Sequence, residues 1–590
     1  MNENKKSILS LDNKSAKKFF LKRVNYFSCS LPPYYNLDYL LSHANKVLKN
    51  TRIKEKSQQI LVEKDTNNKK KNVDYSTYMN INYTFLKNKT KSSYRPMTLI
   101  HPLIYLDLVN LITKEENWEE IVRRFYFFHD MVDGKIVCNS IPFEILNQDS
   151  KLEQAINFWN SMEQETIKLS LNYQHLMKVD ISNFYGTIYT HSIPWALHGE
   201  EEAKQNKKQK NLLGNELDKC FQFMNYGETV SIPQGNAVSD LIAELLLGYI
   251  DYLLFNSLKA KRVGDYKILR YRDDYRIFTN SIDDITIIKY ELVELLRRHK
   301  LSLGESKTEL STDLVEGAVK ADKLYWISHN PVIKLGADCI YQQPKKILNY
   351  LINRNRKKKK ISIEKIIKNR VYTVSLQKHL LSIKLLSSHF PNSGQLVGAL
   401  NDFEIRFQSQ IKRKFIRESI DQMAILAIVM NIIYENPKIT DVGIKFVSKI
   451  LSSYANSESK GFFEILATGD VTKLQNDYEE KLSVINAIHK PIYRNYSNDY
   501  LEIWLQRLVV KNLKEKNQFI DEYISNSKNQ LVNLTNSIIS KNEITPIFNE
   551  DWLKEEYRIS YDGFISEASI HSLEDIVSDK EISLFPYDNM

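Results

Sequence analysis

Ile268–Phe278 reads ILRYRDDYRIF, and its pattern decides the fold. Apolar and β-branched side chains flank a polar centre, which predicts two short strands joined by a tight turn. Asp273 and Asp274 fall at that turn. An isolated Asp-Asp pair is most often a solvent-exposed turn. Two adjacent carboxylates in a buried site instead repel each other and hold each other's protons until a cation compensates them. Oxygen donors of this kind suit Mg²⁺.

A second carboxylate in a matching context lies upstream. Leu176–Tyr185, LMKVDISNFY, predicts an apolar strand ending at Asp180, followed by turn-forming Ser182 and Asn183 and by the aromatics Phe184 and Tyr185. Asp180 by itself reads as a turn or N-cap residue. Brought beside Asp273 and Asp274, it makes a triad able to hold two divalent ions roughly 3.5–4 Å apart. Such a pair activates an attacking hydroxyl and neutralises a transferring phosphoryl group and its pyrophosphate leaving group. The combination, more than any one residue, points to phosphoryl transfer.

At 590 residues the chain exceeds one compact core, which predicts two or more domains. A hydrophobic share of 43% excludes wholesale disorder. The net charge of +10 permits a polyanionic partner, although a lysine-rich surface explains most of the excess. Cys29, Cys138, Cys220 and Cys339 lie far apart with no CxxC pair, which argues against a zinc site or disulfide framework and fits a reducing cytoplasm. The polar Met1–Arg23 lacks the apolar stretch of a signal peptide, and the longest apolar run, Met423–Tyr434, is too short to cross a bilayer. A soluble cytoplasmic protein with no membrane partner is expected.

Polar stretches at Glu63–Tyr75 (EKDTNNKKKNVDY) and Glu200–Asn211 (EEEAKQNKKQKN) predict exposed loops. Between Arg95 and Val332 strand-like runs alternate with helical patterns, as in an α/β or α+β region. Beyond Pro344, apolar residues recur at helical spacing through Ile347–Ile352, Leu376–Leu386, Phe415–Tyr434, Gly443–Tyr454 and Tyr500–Leu513, which predicts an all-helical part. Helix pairs stacked as a HEAT-like solenoid are compatible with this pattern, although no clean fixed period recurs. Arg354–Lys360, RNRKKKK, reads as a solvated face or a contact for a nucleic-acid backbone.

Y-R-D-D at Tyr271–Asp274 resembles the YxDD box of reverse transcriptases, and DISNFY at Asp180–Tyr185 resembles their preceding Asp motif. SIPQGNAVSD (Ser231–Asp240) resembles the box that positions the incoming nucleotide and template. LSLGESKT (Leu301–Thr308) resembles the later lysine-bearing motif, and YRPMTLIHPLIYLDLVN (Tyr94–Asn110) resembles the fingers. The resemblance implies an α+β fold, a right-hand polymerase core of fingers and palm followed by the helical C-terminal domain. The implied boundaries are 1–90 for an N-terminal segment and the start of the fingers, 91–335 for fingers and palm, and 336–590 for the helical domain. It further implies that Asp180 and Asp273 bind both metals, with Asp274 the less direct carboxylate. Tyr185 would be the aromatic gate that selects dNTPs, with a plain core aromatic as its competing reading. Gln234 and Gly235 would approach the nucleotide, Lys307 would assist the leaving pyrophosphate, and Arg95 would contact the triphosphate, with Lys91 and Arg124 as weaker candidates. Mg²⁺ is the implied cofactor, with Mn²⁺ able to substitute.

Three features resemble the abortive-infection reverse transcriptases of bacteria, the AbiK-like group. They are YTHSIPWALHG (Tyr189–Gly199), the AKQNKK and LGNELD segment, and the helical C-terminal half, with WLQRLVV (Trp504–Val510) as a shorter echo. That resemblance implies antiphage defence, DNA synthesis often without a template, and in some members priming from a protein tyrosine, which leaves the DNA product covalently attached. It also implies a homo-oligomer. No priming tyrosine is assigned; Tyr34 and Tyr35 are candidates, against a reading as packed aromatics. Arg272, at the position of the YxDD box where a smaller or apolar residue is common, and Arg276 just beyond it would bind a primer phosphate or hinder duplex placement. The alternatives are a templated RNA-directed DNA polymerase (one using a bound noncoding RNA included), a noncatalytic nucleic-acid-binding scaffold, and a metal-dependent nuclease. A nuclease would need neither the aromatic gate nor the Gln-Gly box.

Overall fold

The computed structural model describes residues 5–66, 69–72, 75–90, 93–145, 162–209, 211–305, 308–334, 370–372, 374–411, 419–457, 499–509 and 527–566. The chain divides into two compact units, one formed by 1–86, 96–319 and 512–567 and the other by 87–95, 320–511 and 568–590.

The first unit is built on a five-stranded sheet. Its strands are β1 (Ile136–Cys138), β2 (His175–Asp180), β3 (Tyr266–Tyr271), β4 (Asp274–Thr279) and β5 (Glu309–Ser311), in the spatial order β5-β2-β4-β3-β1. β1 runs parallel to β3, and the other pairings are antiparallel. β3 and β4 are the two strands expected from ILRYRDDYRIF. Their register pairs Tyr271 with Asp274 and leaves Arg272 and Asp273 as a two-residue turn.

Because side chains alternate across a strand, the sheet has two distinct faces. On one, Leu176, Leu269 and Phe278 form a buried cluster with Met162, Leu169, Tyr173 and Leu314. The other carries Arg270 and Tyr275 and meets α2 (Ala237–Ala260), which lies between α1 (Glu115–Met131) and α3 (Ile282–Arg298). α2 is apolar over most of its circumference, as a helix enclosed on several sides must be. Arg270 is fully buried there, its Nε donating to Asp251 at 2.7 Å and a terminal nitrogen to Glu244 at 2.9 Å. Tyr275 donates to the second oxygen of Asp251 at 3.0 Å. Removing either side of such a pair strands a buried charge, so the network fixes the seating of α2 on the sheet.

The C-terminal boundary differs from the one expected. Residues 527–566 belong with the first unit instead of continuing a helical domain from 336 to 590. Isolated bridges join Tyr35 to Ile565 and Leu61 to Leu553. Tyr83 donates to Asn529 at 2.9 Å, and Trp552 is fully buried. His101 accepts the Leu103 N–H on Nδ1, which leaves Nε2 as the donor to Glu550 at 3.1 Å. Two expected loops also contain regular structure. Glu63–Thr66 pairs with Lys69–Asn72 as a hairpin, and Glu200–Gln205 is helical.

In the second unit the described helices are α4 (Ala321–His329), α5 (Leu376–His389), α6 (Gln395–Ile411), α7 (Ser419–Glu435), α8 (Thr440–Ser457) and α9 (Asp499–Val509). α5, α7, α8 and α9 follow the helical spacing read beyond Pro344, yet this part is not all-helical: Val332–Lys334 pairs with Arg370–Tyr372. Ile347–Ile352 and the basic run Arg354–Lys360 lie outside the described residues. Among the described residues, no helix is long and apolar enough to cross a membrane.

Candidate active site

Asp180 ends β2 and Asp274 begins β4, and the antiparallel register sets them directly opposite each other. Directly opposed residues project from the same face with Cβ atoms about 4.5–5.5 Å apart. Asp273 occupies the turn, its carbonyl accepting the Ile181 N–H at 3.1 Å. The strand ends thus gather three carboxylate residues that lie 93 or more positions apart or side by side in sequence (273 − 180 = 93). LSLG of the later motif runs alongside. Leu303 bridges Ile181, Ser302 accepts from the Ser182 N–H at 2.8 Å, and Gly304 donates to the Asp180 carbonyl at 2.7 Å. A Cβ at position 304 would lie 3.6 Å from Oδ2 of Asp180, so glycine keeps the space beside that carboxylate clear.

The hard oxygen donors fit a divalent cation. Among the described residues, no group of three His, Cys, Asp or Glu side chains converges as a ready-made metal cage. Mg²⁺ does not require one, because it commonly binds through one or two carboxylates, water and substrate phosphates. The two opposed aspartates and the turn aspartate are the residues that would supply the protein's share of such a set.

A charged network ties three of the motifs together. The Tyr185 hydroxyl donates to Asp240 at 2.7 Å, and the other Asp240 oxygen pairs with Arg272 at 3.0 Å. Asp240 stands in the first turn of α2, whose N-cap Asn236 accepts from the Ser239 N–H. Burial first, then the nearby Asp240 carboxylate, pushes the Tyr185 phenol well above its usual pKa, while Asp240 above all keeps Arg272 charged. Arg272 adopts a positive φ of 50°, and its N–H donates to Ser140 at 2.8 Å. For a non-glycine residue that backbone costs on the order of 1–2 kcal/mol, which the two polar contacts offset. Asp240 closes the predicted SIPQGNAVSD box, but spacing alone gave no reason to pair it with a tyrosine and an arginine.

The Tyr185 ring also lines a cleft of about 390 Å³, together with Gln234, Asn183, Thr98, Asn82 and Ser231. The gate candidate and the Gln of the nucleotide box therefore share one wall. The neighbouring Gly235 is also required by the backbone itself. Its φ is +117°, and a Cβ there would lie 3.0 Å from Met97 Cε. The carbonyls of Gln234 and Gly235 accept from the N–H groups of Thr98 and Ser28, at 3.0 and 2.7 Å.

Other expectations are corrected. Arg276 is buried and donates to Thr166 at 2.8 Å, pinning the helix over 162–169 to the sheet, so it is not a guanidinium for a primer phosphate. Arg272 is engaged with Asp240. Arg124 donates to the Ala196 carbonyl and covers the Phe128 ring at 4.6 Å, a packing role. Tyr34 and Tyr35 are both 1% exposed, and the Tyr35 hydroxyl is bonded to Thr535 at 2.9 Å, which favours the packed-aromatic reading. Arg95 is exposed on the strand Tyr94–Leu99 and belongs to the second unit. Lys307 and Lys91 lie outside the described residues.

Residues 86–352 match the family model described as reverse transcriptase (RNA-dependent DNA polymerase). The chain carries a reverse-transcriptase domain. Domains of that description are nucleotidyltransferases of the DNA-polymerase type and generally use divalent metal ions. No curated protein matches the chain. Solved structures similar to it include apo telomerase from Candida tropicalis truncated from its C-terminal domain, at 13% identity and a TM-score of 0.26. That match covers 46% of this chain and 55% of the other, so the chain spans about half the length of that relative. Apo telomerase from the same organism matches at 12% identity and 0.27, over 81% and 72% of the two chains. Telomerase from Candida albicans in complex with a fragment of telomeric RNA matches at 10% and 0.25, over 77% and 69%. Similarity this low adds nothing to the family match about template or partner.

Proposed function

We propose that the protein is a Mg²⁺-dependent DNA polymerase that adds dNTPs at Asp180, Asp273 and Asp274, with Mn²⁺ able to substitute. The observation that carries the reading is the in-register opposition of Asp180 and Asp274 beside the turn aspartate. Divalent ions bound there supply an activated 3′ nucleophile and charge neutralisation on the triphosphate. The protein's own residues do the positioning. Tyr185 walls the nucleotide cleft against a ribose 2′-hydroxyl, Gln234 faces the same cleft, and Asp240 with Arg272 holds the turn to the helix behind it. Lys307 completes the proposal as the contact for the leaving pyrophosphate.

The resemblance of the Tyr189–Gly199 segment to abortive-infection reverse transcriptases extends the proposal to cytoplasmic antiphage defence and untemplated synthesis. A HEAT-like C-terminal array, a homo-oligomer and DNA attached to a protein tyrosine belong to the same extension. Templated copying of RNA is the second reading, and the family description favours it.

The deciding assay incubates the purified protein with Mg²⁺ and labelled dNTPs, with and without a primer-template, and resolves products on a denaturing gel. DNase-sensitive label without added nucleic acid, absent in Asp274→Asn and Asp180→Asn, supports untemplated polymerisation. Label only with a primer-template supports the second reading. Incorporation that survives both substitutions would remove these carboxylates from the chemistry.

A further inference from the structure

The second unit carries a cationic and aromatic surface that none of the catalytic motifs accounts for. Lys320 caps the N-terminus of α4, and Lys438 lies on the one-turn 3₁₀ helix Pro437–Ile439 before α8. The Lys438 side chain reaches solvent, yet surrounding protein crowds it. That crowding, followed by the charges of Lys320, Arg95 and Lys87, holds its ammonium below the usual lysine pKa, with Asp322 opposing them. Three like charges within reach of Lys438 repel its ammonium, and a polyanion relieves that repulsion.

Next to these cations stands an aromatic stack. The Tyr325 and His329 rings on α4 lie 4.0 Å apart at 9°, and His389 at the end of α5 lies 5.3 Å from Tyr325 at 24°. Both imidazoles are exposed. The turn at 389–393 joins stack and cations. Phe390 packs on Tyr325, Asn392 accepts from the Lys438 N–H at 3.1 Å, and Ser393 donates to Asp322 at 2.6 Å. Lys320 and Tyr325 are five residues apart (325 − 320 = 5), about 7.5 Å along the helix axis and roughly two rises of a stacked strand.

We propose that this surface is a single-stranded nucleic-acid track, in which Lys87, Arg95, Lys320 and Lys438 hold successive phosphates and the exposed faces of His329 and His389 take the bases. Cations that follow the backbone, combined with flat rings that accept any base, are the means by which proteins bind single strands without reading sequence. The inference rests on the polymerase reading for the origin of the strand, whether template or product. It does not rest on that reading for the binding itself.

The test is fluorescence anisotropy with labelled oligo(dT) and oligo(U) of about a dozen nucleotides, using the full chain in EDTA without dNTPs. The comparison is among the parent protein, Lys320→Gln/Lys438→Gln, His329→Ala/His389→Ala and Asp274→Asn. The lysine pair should weaken binding about tenfold and reduce the slope of log K against log salt by about 1.4, as expected for two lost phosphate contacts. The histidine pair should weaken it about fivefold or more, with the salt slope unchanged. Binding of either oligonucleotide in this manner supports the track, and a preference between them identifies the sugar. Parent-like affinity and slope in the lysine variant would overturn it. A histidine variant that binds like the parent would reduce the surface to a general polyanion patch and would also overturn it. Asp274→Asn should bind normally, so a failed polymerase reading leaves the binding result standing. Circular dichroism of each variant separates lost binding from lost folding.

Discussion

At the scale of single residues, Tyr185 serves two masters. The residue lines the proposed nucleotide cleft while its hydroxyl anchors Asp240. The two roles separate by substitution. Tyr185→Phe keeps the wall and loses one buried hydrogen bond, so it should cost about 1 kcal/mol in thermal unfolding with dNTP selectivity intact. Tyr185→Ala removes the wall, and incorporation of rNTPs relative to dNTPs should rise roughly tenfold to a hundredfold. If the phenylalanine variant admits rNTPs as readily as the alanine variant, the ring is not the gate. Asp180, Asp273 and Asp274 were legible in the sequence because strand-turn-strand patterning and adjacent acids mark themselves locally. Asp240 was not, because its partners Tyr185 and Arg272 stand 55 and 32 positions away, and only the folded register joins them.

Among the elements, the β3–β4 hairpin was readable because its apolar flanks and two-residue turn lie within eleven consecutive residues (278 − 268 + 1 = 11). β1 was harder to find. It has three residues and joins β3 in parallel across a long crossover, which no local period announces. The helices beyond Pro344 followed their spacing, while the strand Arg370–Tyr372 is too short for alternation to reveal. α5 makes a pH prediction. Burial first, then Arg406, depresses His379 from 6.5 to about 4. The unfolded chain therefore takes up a proton between about pH 6.5 and 4 that the folded one refuses, so stability is lost as pH falls through that window. The loss approaches about 1.4 kcal/mol per pH unit well inside it. Urea titrations followed by helical circular dichroism should show the midpoint falling from pH 7 to pH 5, with a smaller fall in His379→Leu. Equal falls in the two proteins would place the acid sensitivity elsewhere.

For the molecule as a whole, the distant pairings of the first unit matter most. The bond between His101 and Glu550 spans 449 positions, and that between Tyr35 and Thr535 spans 500. Glu550 also accepts the Ile559 N–H at 3.0 Å. Glu550→Ala would leave two buried donors without their acceptor and should lower the stability of the first unit by about 1–3 kcal/mol, read by thermal unfolding. An unchanged unfolding temperature would make this contact incidental. These pairings also set a clock on synthesis. At about 5–20 residues per second, a ribosome needs on the order of half a minute or more after making His101 before Glu550 exists to meet it. Throughout that interval the nascent domain carries uncovered apolar surface and invites chaperones. A message cut short before Thr535 and Glu550 would leave Tyr35 and His101 without these partners, so translation past that point acts as a licence for the fold.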